Sequence, residues 1–131
     1  MDDKSTLPLN YLWLDEYLSL KAGSSKDFKI EWQWHRYLLK DKMFAAICSD
    51  KTGGQIVTLK CEPTVASMLR EQYPDILPGY YMNKEHWNSV YLEGQVPQSV
   101  IKQMVDMSYQ LIYKSLGKKL QQEIINPGGS I

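Results

Sequence analysis

The amino-acid sequence predicts an α+β fold in which one antiparallel meander sheet is covered by helices on a single face. Apolar residues recur at helical spacing near both ends of the chain, and they alternate with polar residues in the stretch between. The connections between the alternating runs are short, which favours antiparallel strands because parallel strands need long crossovers. Helices that flank a cluster of strands are typical of the α+β class.

Length and composition predict one globular domain. The chain has 131 residues, of which 44% are hydrophobic and 23% charged, as in ordinary globular proteins. We expect this domain to cover residues 1–125 and the Pro/Gly-rich tail, 126–131, to be disordered. The 15 Lys and Arg residues balance the 15 Asp and Glu residues, so any contact with nucleic acid must come from a local patch.

The sequence also predicts a cellular location and a redox state. No apolar run reaches the roughly 18–20 residues of a membrane-spanning helix, and residues 1–10 lack a basic region followed by an apolar stretch. A cytoplasmic protein with no membrane contact is therefore expected. Two cysteines are too few for a disulfide scaffold or a four-ligand zinc site. Cys48 and Cys61 lie at opposite ends of a predicted hairpin, so we expect both to be free thiols.

Local signals place the elements in order. Gly23 and two serines end the first helix. Lys40–Asp41 forms a two-residue turn, and the run 49–54 is a turn by composition. Pro63 opens the second helix and Pro97 the last. The expected helices are 8–20, 63–73 and a helix from 97 onward, and the expected strands are 28–34, 35–39, 42–48, 55–61 and 88–92, with a loop at 74–87.

The two turns also predict the strand register. A turn over 49–54 pairs Cys48 with Gln55, and the Lys40–Asp41 turn places Tyr37 opposite Phe44. The face under the helices should then carry Tyr37, Phe44, Ala46, Cys48, Val57 and Leu59, and the opposite face Arg36, Leu38, Met43, Ala45, Ile47, Ile56, Thr58 and Lys60. We expect one core that contains Trp13, Phe44, Val57, Leu59, Met104 and Leu111.

The segment 78–88 is the densest group of polar and aromatic residues. It combines two amides, a lysine, a histidine and aromatic rings, which can bind phosphates and stack on bases. The alternative is structural: Trp87 fills the sheet edge while Asn83 and Asn88 cap turns. Residues 26–60 hold seven bases and four acids, an excess of +3 that would attract a polyanion only weakly.

Catalysis, metal binding and cofactor binding have little support in the sequence. His86 could act as a general base, but the other histidine, His35, is not part of any recognised catalytic spacing. Gly53–Gly54 lacks the lysine and helix of a phosphate-binding loop. We therefore expect no catalytic residue, no metal and no cofactor.

Several motifs resemble those of the MmcQ/YjbR family. The run PGYYMNKEHWN at 78–88 is similar to the family pattern P-G-Y-[HY]-x-N-K-x-H-W-N. KMF at 42–44, LKC at 59–61 before Pro63, and LREQYP at 69–74 also fit, so that the resemblance spans about 9–120. Tyr81 stands where many members have histidine, and Glu85 where a basic residue is frequent.

The resemblance implies a fold like that of bacterial frataxin (CyaY-like) and a DNA-binding role through a "double wing" of hairpins. The expected function is a small non-enzymatic protein that binds DNA weakly, mainly through phosphates. The alternative is a protein-interaction or small-ligand domain that uses the same loop. Iron binding is not expected, because the first helix offers only Asp15 and Glu16. The expected nucleic-acid-binding residues are Arg36, Lys60, Asn83, Lys84, His86, Trp87 and Asn88.

Overall fold

The computed structural model describes residues 7–126, and within them the chain forms one six-stranded sheet and four α-helices. The predicted α+β class is confirmed. Expectations for 1–6 and 127–131 lie outside the described residues. After a 3-10 turn at Leu9–Tyr11, the helices are α1 (Leu12–Ser19), α2 (Pro63–Gln72), α3 (Gln98–Ser115) and α4 (Lys118–Ile125). The strands are β1 (Ser24–Lys29), β2 (Trp34–Leu39), β3 (Lys42–Ser49), β4 (Gln55–Lys60), β5 (Ile76–Pro78) and β6 (Trp87–Tyr91).

The sheet is antiparallel throughout, in the order β1-β2-β3-β4-β6-β5. Its first four strands form the predicted meander, and the core lies between one sheet face and the helices. We call the other face, on which no helix of residues 7–126 packs, the helix-free face, and residues 79–86 between β5 and β6 the cover loop. The largest fully buried core side chains include Leu14, Leu18, Tyr37, Leu39, Phe44, Ile47, Leu59, Ile76 and Val90.

The first hairpin differs from the prediction of a strand at 28–34. Residues 30–33 form the turn instead, with Gln33 at φ 58° and its N–H bonded to the Lys29 carbonyl. Ile30 and Trp32 are 74% and 56% exposed. Their alternation with polar residues therefore reflects an exposed turn and not a half-buried strand.

A bulge in β3 corrects the predicted sheet faces. Leu38 pairs with Met43 as predicted, but the next residue of β2, Tyr37, pairs with Ala45, which leaves Phe44 as an extra residue. Phe44 and Ala45 are both buried in the core. Beyond the bulge the predicted faces are exchanged: Ala45 and Ile47 pack under the helices, and Ala46 and Cys48 lie on the helix-free face. Tyr37, Phe44, Val57 and Leu59 are in the core as predicted.

The β3–β4 turn explains why the register of that hairpin is also shifted. Ser49 pairs with Gln55 and Cys48 with Ile56, so the predicted pairing of Cys48 with Gln55 is wrong by one residue. The carboxylate of Asp50 accepts bonds from the Thr52 N–H, the Thr52 hydroxyl and the Gly54 N–H. These bonds close the turn over 50–54 and leave Ser49 in the strand.

The helices differ from the predicted ones less than the strands do. On α1 the buried residues are Leu14 and Leu18, whereas Leu20, at the predicted end of this helix, follows α1 and is 76% exposed. On α3 Ile112 belongs to the core instead of the predicted Leu111. The short elements β5 and α4 were not predicted, because neither is long enough to show a clear period.

Candidate functional site

The cover loop crosses the helix-free face and is held by the β3–β4 turn. The Tyr80 hydroxyl accepts a hydrogen bond from the N–H of Lys51 (3.1 Å), and the Tyr81 hydroxyl donates to the carbonyl of Ser49 (2.9 Å). The N–H of Tyr80 donates to Oγ of Ser89 on β6 (3.0 Å). Both tyrosine hydroxyls are therefore held at the turn end of β3 and β4.

Gly79 begins the cover loop at a point with no room for a side chain. Its N–H donates to the Trp87 carbonyl (2.7 Å). A Cβ at this position would lie 2.8 Å from Cβ of Trp87 and 3.1 Å from its carbonyl oxygen. Because these atoms belong to, or are attached directly to, the backbone, only glycine allows this approach. Trp87 is 8% exposed and supports the loop. The structural alternative predicted a packed side chain here but placed it at the sheet edge, whereas β6 lies between β4 and β5.

Asn83 and Lys84 use polar groups within the cover loop. Oδ1 of Asn83 accepts hydrogen bonds from the N–H groups of Glu85 (2.9 Å) and His86 (3.1 Å), which makes it a turn cap. Nζ of Lys84 donates to the carbonyl of Gly79 (2.9 Å). An ammonium group has three donors, and this bond uses one of them. Both residues are exposed, so they shape the loop and also reach solvent.

Asn88 lies on the opposite side of the sheet from the cover loop. It pairs with Leu59 and is fully buried beneath α2, where Nδ2 donates to the Ala66 carbonyl (3.4 Å). Oδ1 of Asn88 has no hydrogen-bond partner among the described residues. The predicted turn cap at this position is therefore a buried strand residue.

His86 and Lys60 lie close together at the end of β4. The carbonyl of exposed His86 accepts a hydrogen bond from the N–H of Cys61 (2.8 Å). Lys60 is half-buried and pairs with Trp87 across β4 and β6. Side chains alternate along a strand, so Lys60 shares the helix-free face with its strand neighbour Thr58, as predicted, and Thr58 is bonded to Ser89 there.

Arg36 forms a two-bond ion pair on the helix-free face. Its Nε and Nη2 donate to the two carboxylate oxygens of Asp27 at 2.9 Å and 2.6 Å. These bonds lower the pKa of Asp27 and raise that of Arg36. Nη1 of Arg36 has no hydrogen bond to any residue between 7 and 126, so this donor is available to a ligand.

Arg36 also lines a groove of about 600 Å³, which is within the usual range for small-molecule sites. One wall comes from the β1–β2 hairpin and the other from the cover loop. We call it the aromatic groove, and its lining residues are Trp32, Trp34, Arg36, Met43, Tyr81 and Met82.

The rings of the aromatic groove are tilted with respect to each other and partly open to solvent. The centroids of Trp32 and Trp34 lie 5.2 Å apart at 59°, and those of Trp34 and Tyr81 5.6 Å apart at 43°. Trp32 is 56% exposed and Tyr81 44%. Nζ of Lys29 lies 5.7 Å from the Trp32 centroid. The groove thus combines accessible aromatic surface with nearby positive charge.

Sequence reasoning did not identify the aromatic groove as a site, although it placed Arg36 among the binding residues. It interpreted Trp32 and Trp34 as strand residues because they alternate with polar side chains. The available signal was two tryptophans within three residues, of which a turn exposes the first. Their approach to Tyr81 could not be seen, because it depends on how the cover loop crosses the sheet.

The remaining reactive groups give little sign of other chemistry. Residues 7–126 contain no group of three or more His, Cys, Asp or Glu side chains that could hold a metal. Cys48 and Cys61 are both free and buried. Burial, with a smaller effect from Asp50, raises the pKa of Cys48 to about 12, and burial also raises that of Cys61.

Among the described helices, none has the length and hydropathy needed to cross a membrane.

Comparison with known proteins identifies relatives by sequence. The family model YjbR matches residues 18–111. The uncharacterised protein YjbR of Escherichia coli strain K12 is 35% identical over 95 residues, which are 72% of this chain and 80% of that protein. The uncharacterised protein YyaQ of Bacillus subtilis strain 168 is 43% identical over 56 residues, 43% of this chain and 47% of that protein.

Solved structures are similar to this chain as well. A crystal structure of a Deinococcus radiodurans protein with the domain DUF419 superposes with a TM-score of 0.76 at 26% identity and covers 85% of this chain and 84% of that one. A crystal structure of a Pseudomonas syringae protein gives a TM-score of 0.67 at 24% identity, with 79% and 98% covered, and supports the fold alone.

Proposed function

This chain belongs to the YjbR family, and on that premise we propose that it is a small non-enzymatic protein that binds DNA weakly, mainly through phosphates, on the helix-free face. The proposal is supported by one observation above all. The cations expected to contact phosphate, Arg36, Lys60 and Lys84, are on one side of the molecule and are connected by the cover loop.

The contacts of the cover loop establish this arrangement. Near its middle, Met82 lines the aromatic groove together with Arg36. Near its end, the His86 carbonyl is bonded to the N–H of Cys61, the neighbour of Lys60. Lys84 is exposed between these two points. A phosphate backbone that follows the loop would therefore meet several cations.

The same face also carries acids, which is why binding should be weak. Asp27 neutralises most of the charge of Arg36, and Glu85 lies beside Lys84. Few counterions can then be released on binding, and counterion release supplies most of the affinity of nonspecific protein–DNA contacts. We assign contact to Arg36, Lys60, Asn83, Lys84 and His86, and structural support to Trp87 and Asn88.

A non-enzymatic role is part of the proposal. A nucleophilic cysteine must be accessible and must ionise easily. Cys48 and Cys61 are buried, and the pKa of each is raised by burial. His86 is exposed, and its hydrogen bonds to other residues between 7 and 126 are made by its backbone N–H and carbonyl.

Two charge variants of the cover loop test the proposal. Each is titrated with a short duplex DNA at low salt and again at higher salt. Lys84→Ala should weaken binding severalfold, because it removes a phosphate contact. Glu85→Lys should strengthen binding, because it adds positive charge beside Lys84. Lys118→Ala is the matched control: it removes an exposed lysine of α4, on the helical side, and should leave affinity unchanged.

Unchanged affinity in both loop variants would reject the cover loop as the DNA surface. If a binding partner were then captured with an affinity that salt does not alter, the protein-interaction or small-ligand alternative would replace the DNA proposal, since polyanion binding weakens steeply with salt.

A further inference from the structure

We propose that the aromatic groove is a base-binding subsite that takes an unpaired base of a single nucleic-acid strand. This inference rests on the proposed function and adds a ligand class to it. The expected contact is stacking of the base on Trp32 or Tyr81, with Arg36 beside it.

Two aromatic rings of the groove are open to solvent. An aromatic residue that serves only the core is buried, as Phe44 is. Trp32 and Tyr81 instead leave about half of their surface open, and neither ring stacks in parallel on its neighbour. Such rings provide flat apolar surface on which any base can stack.

Hydrogen bonds hold both walls of the groove in place. Tyr81 is fixed through its hydroxyl to the Ser49 carbonyl, and the cover loop is held internally by Asn83 and Lys84. Trp32 lies within the turn at 30–33, which is closed by hydrogen bonds from the N–H groups of Trp32 and Gln33 to the Lys29 carbonyl. A preformed site avoids the cost of ordering side chains when the ligand binds.

Positively charged side chains lie in and beside the groove. Aromatic pockets also bind quaternary ammonium ions, but here Arg36 lines the groove and Lys29 lies beside Trp32. Lys29 and Arg36 exceed the paired carboxylate of Asp27 by one positive charge. Arg36 is the one charged side chain among the lining residues, and none of them is acidic, which favours an anionic nucleotide over a cation. Nη1 of Arg36 offers a donor that the pair with Asp27 leaves unused.

The volume of the groove suits a single base. A groove of about 600 Å³ accommodates a ligand of small-molecule dimensions. A base inside a duplex is stacked on both faces and must be extruded before it can enter such a site, at the cost of unstacking. The groove should therefore prefer single strands to duplexes.

The test compares three DNA probes of equal length: an oligothymidylate, the same backbone with abasic sites in place of its bases, and a duplex. The oligothymidylate should bind more tightly than the other two at equal salt. Trp32→Ala and, separately, Tyr81→Ala should weaken oligothymidylate binding about tenfold, as loss of one stacking contact does, and should leave the abasic strand unaffected. Met68→Ala, an exposed apolar side chain of α2, is the matched control and should change nothing.

Two results would overturn the inference, and they differ in what they imply for the proposed function. If the oligothymidylate and the abasic strand bind equally, and Trp32→Ala has no effect, the groove is not a base site while phosphate-directed binding is retained. If no probe binds at low salt, the DNA-binding proposal and the inference both fail. Trp32 lies in an exposed turn, so its variant is expected to fold.

Discussion

At the scale of single residues, the cover loop depends on Gly79. Gly79→Ala should destabilise the protein by about 1–3 kcal/mol, as overpacking does, because its Cβ would press on Cβ and the carbonyl of Trp87. Gly117→Ser is the matched control: a Cβ there meets nothing within 4 Å, φ is −67°, and serine suits this position at the N-cap of α4. Urea unfolding of both variants measures the difference. Equal stabilities would show that the loop is not tightly packed on Trp87.

Asp50 predicts a specific pH dependence. Hydrogen bonds from Tyr91 first and then Thr52 and Gly54 lower its pKa from 3.8 to about 2. A carboxyl group with a depressed folded-state pKa stabilises the protein above its unfolded pKa, and this stabilisation is lost as the pH falls through the folded pKa. The loss should therefore occur between about pH 4 and pH 2.

Asp50→Asn tests this dependence, since an amide group cannot reproduce the bonds that the carboxylate accepts. The urea midpoint of Asp50→Asn should lie below that of wild type at about pH 7, and the difference should shrink at about pH 2. Asp41→Asn, in the two-residue turn, is the control, because Asn suits its φ of 69° equally well. A difference that is the same at both pH values would contradict the role of the carboxylate.

The sequence predicted residue roles where the chemistry is local. Asn83 was one alternative for a turn cap, and its Oδ1 does accept two N–H groups close to it in the chain. Lys40–Asp41 was predicted as a two-residue turn, and both residues have the positive φ of such a turn. Asn88 could not be predicted in the same way, because its burial depends on α2, distant in sequence.

At the scale of elements, the bulge at Phe44 determines which β3 side chains reach the core. Phe44 is fully buried and its ring meets Tyr109 edge-on, with centroids 5.5 Å apart. Phe44→Ala should cost about 3–5 kcal/mol of unfolding free energy, as large core truncations do. Met43→Ala, one residue away on the groove side, should cost only about 1 kcal/mol. Denaturant unfolding compares the two, and a larger cost for Met43→Ala would reverse our assignment of faces.

The bulge also explains why the strand register could not be predicted from the sequence. The turns at 40–41 and 50–54 were predicted at or within one residue of their places, whereas the first turn, at 30–33, was predicted as strand. One extra residue at Phe44 exchanges the faces of β3 beyond it, and one at Ser49 shifts the pairing of β3 with β4. Hydrophobicity did not reveal this, because every residue from 44 to 48 is buried and apolar. The helix-free face of β3 is covered by the cover loop, which removes the contrast between an apolar and a polar face.

At the scale of the whole molecule, a net charge of zero limits the electrostatic part of DNA binding. If two or three phosphates are neutralised, the slope of log affinity against log salt should be about −2 to −3. Lys84→Ala should reduce the magnitude of this slope by about one. Fluorescence titration of a labelled duplex over a series of salt concentrations measures it. A slope near zero would contradict phosphate-directed binding.

The fold class and the family motifs could be predicted because they depend on local periodicity and on runs such as 78–88. The aromatic groove could not, because Trp32 and Tyr81 are distant in sequence and meet only when the cover loop lies across β2 and β3.

The central claim is that the helix-free face binds nucleic acid, and NMR mapping of a 15N-labelled protein tests it most directly. A short DNA is added at low salt and the backbone amide shifts are followed. The largest shifts should lie in the cover loop and in the β1–β2 hairpin. Shifts confined to α1 and α3, or none at saturating DNA, would contradict it.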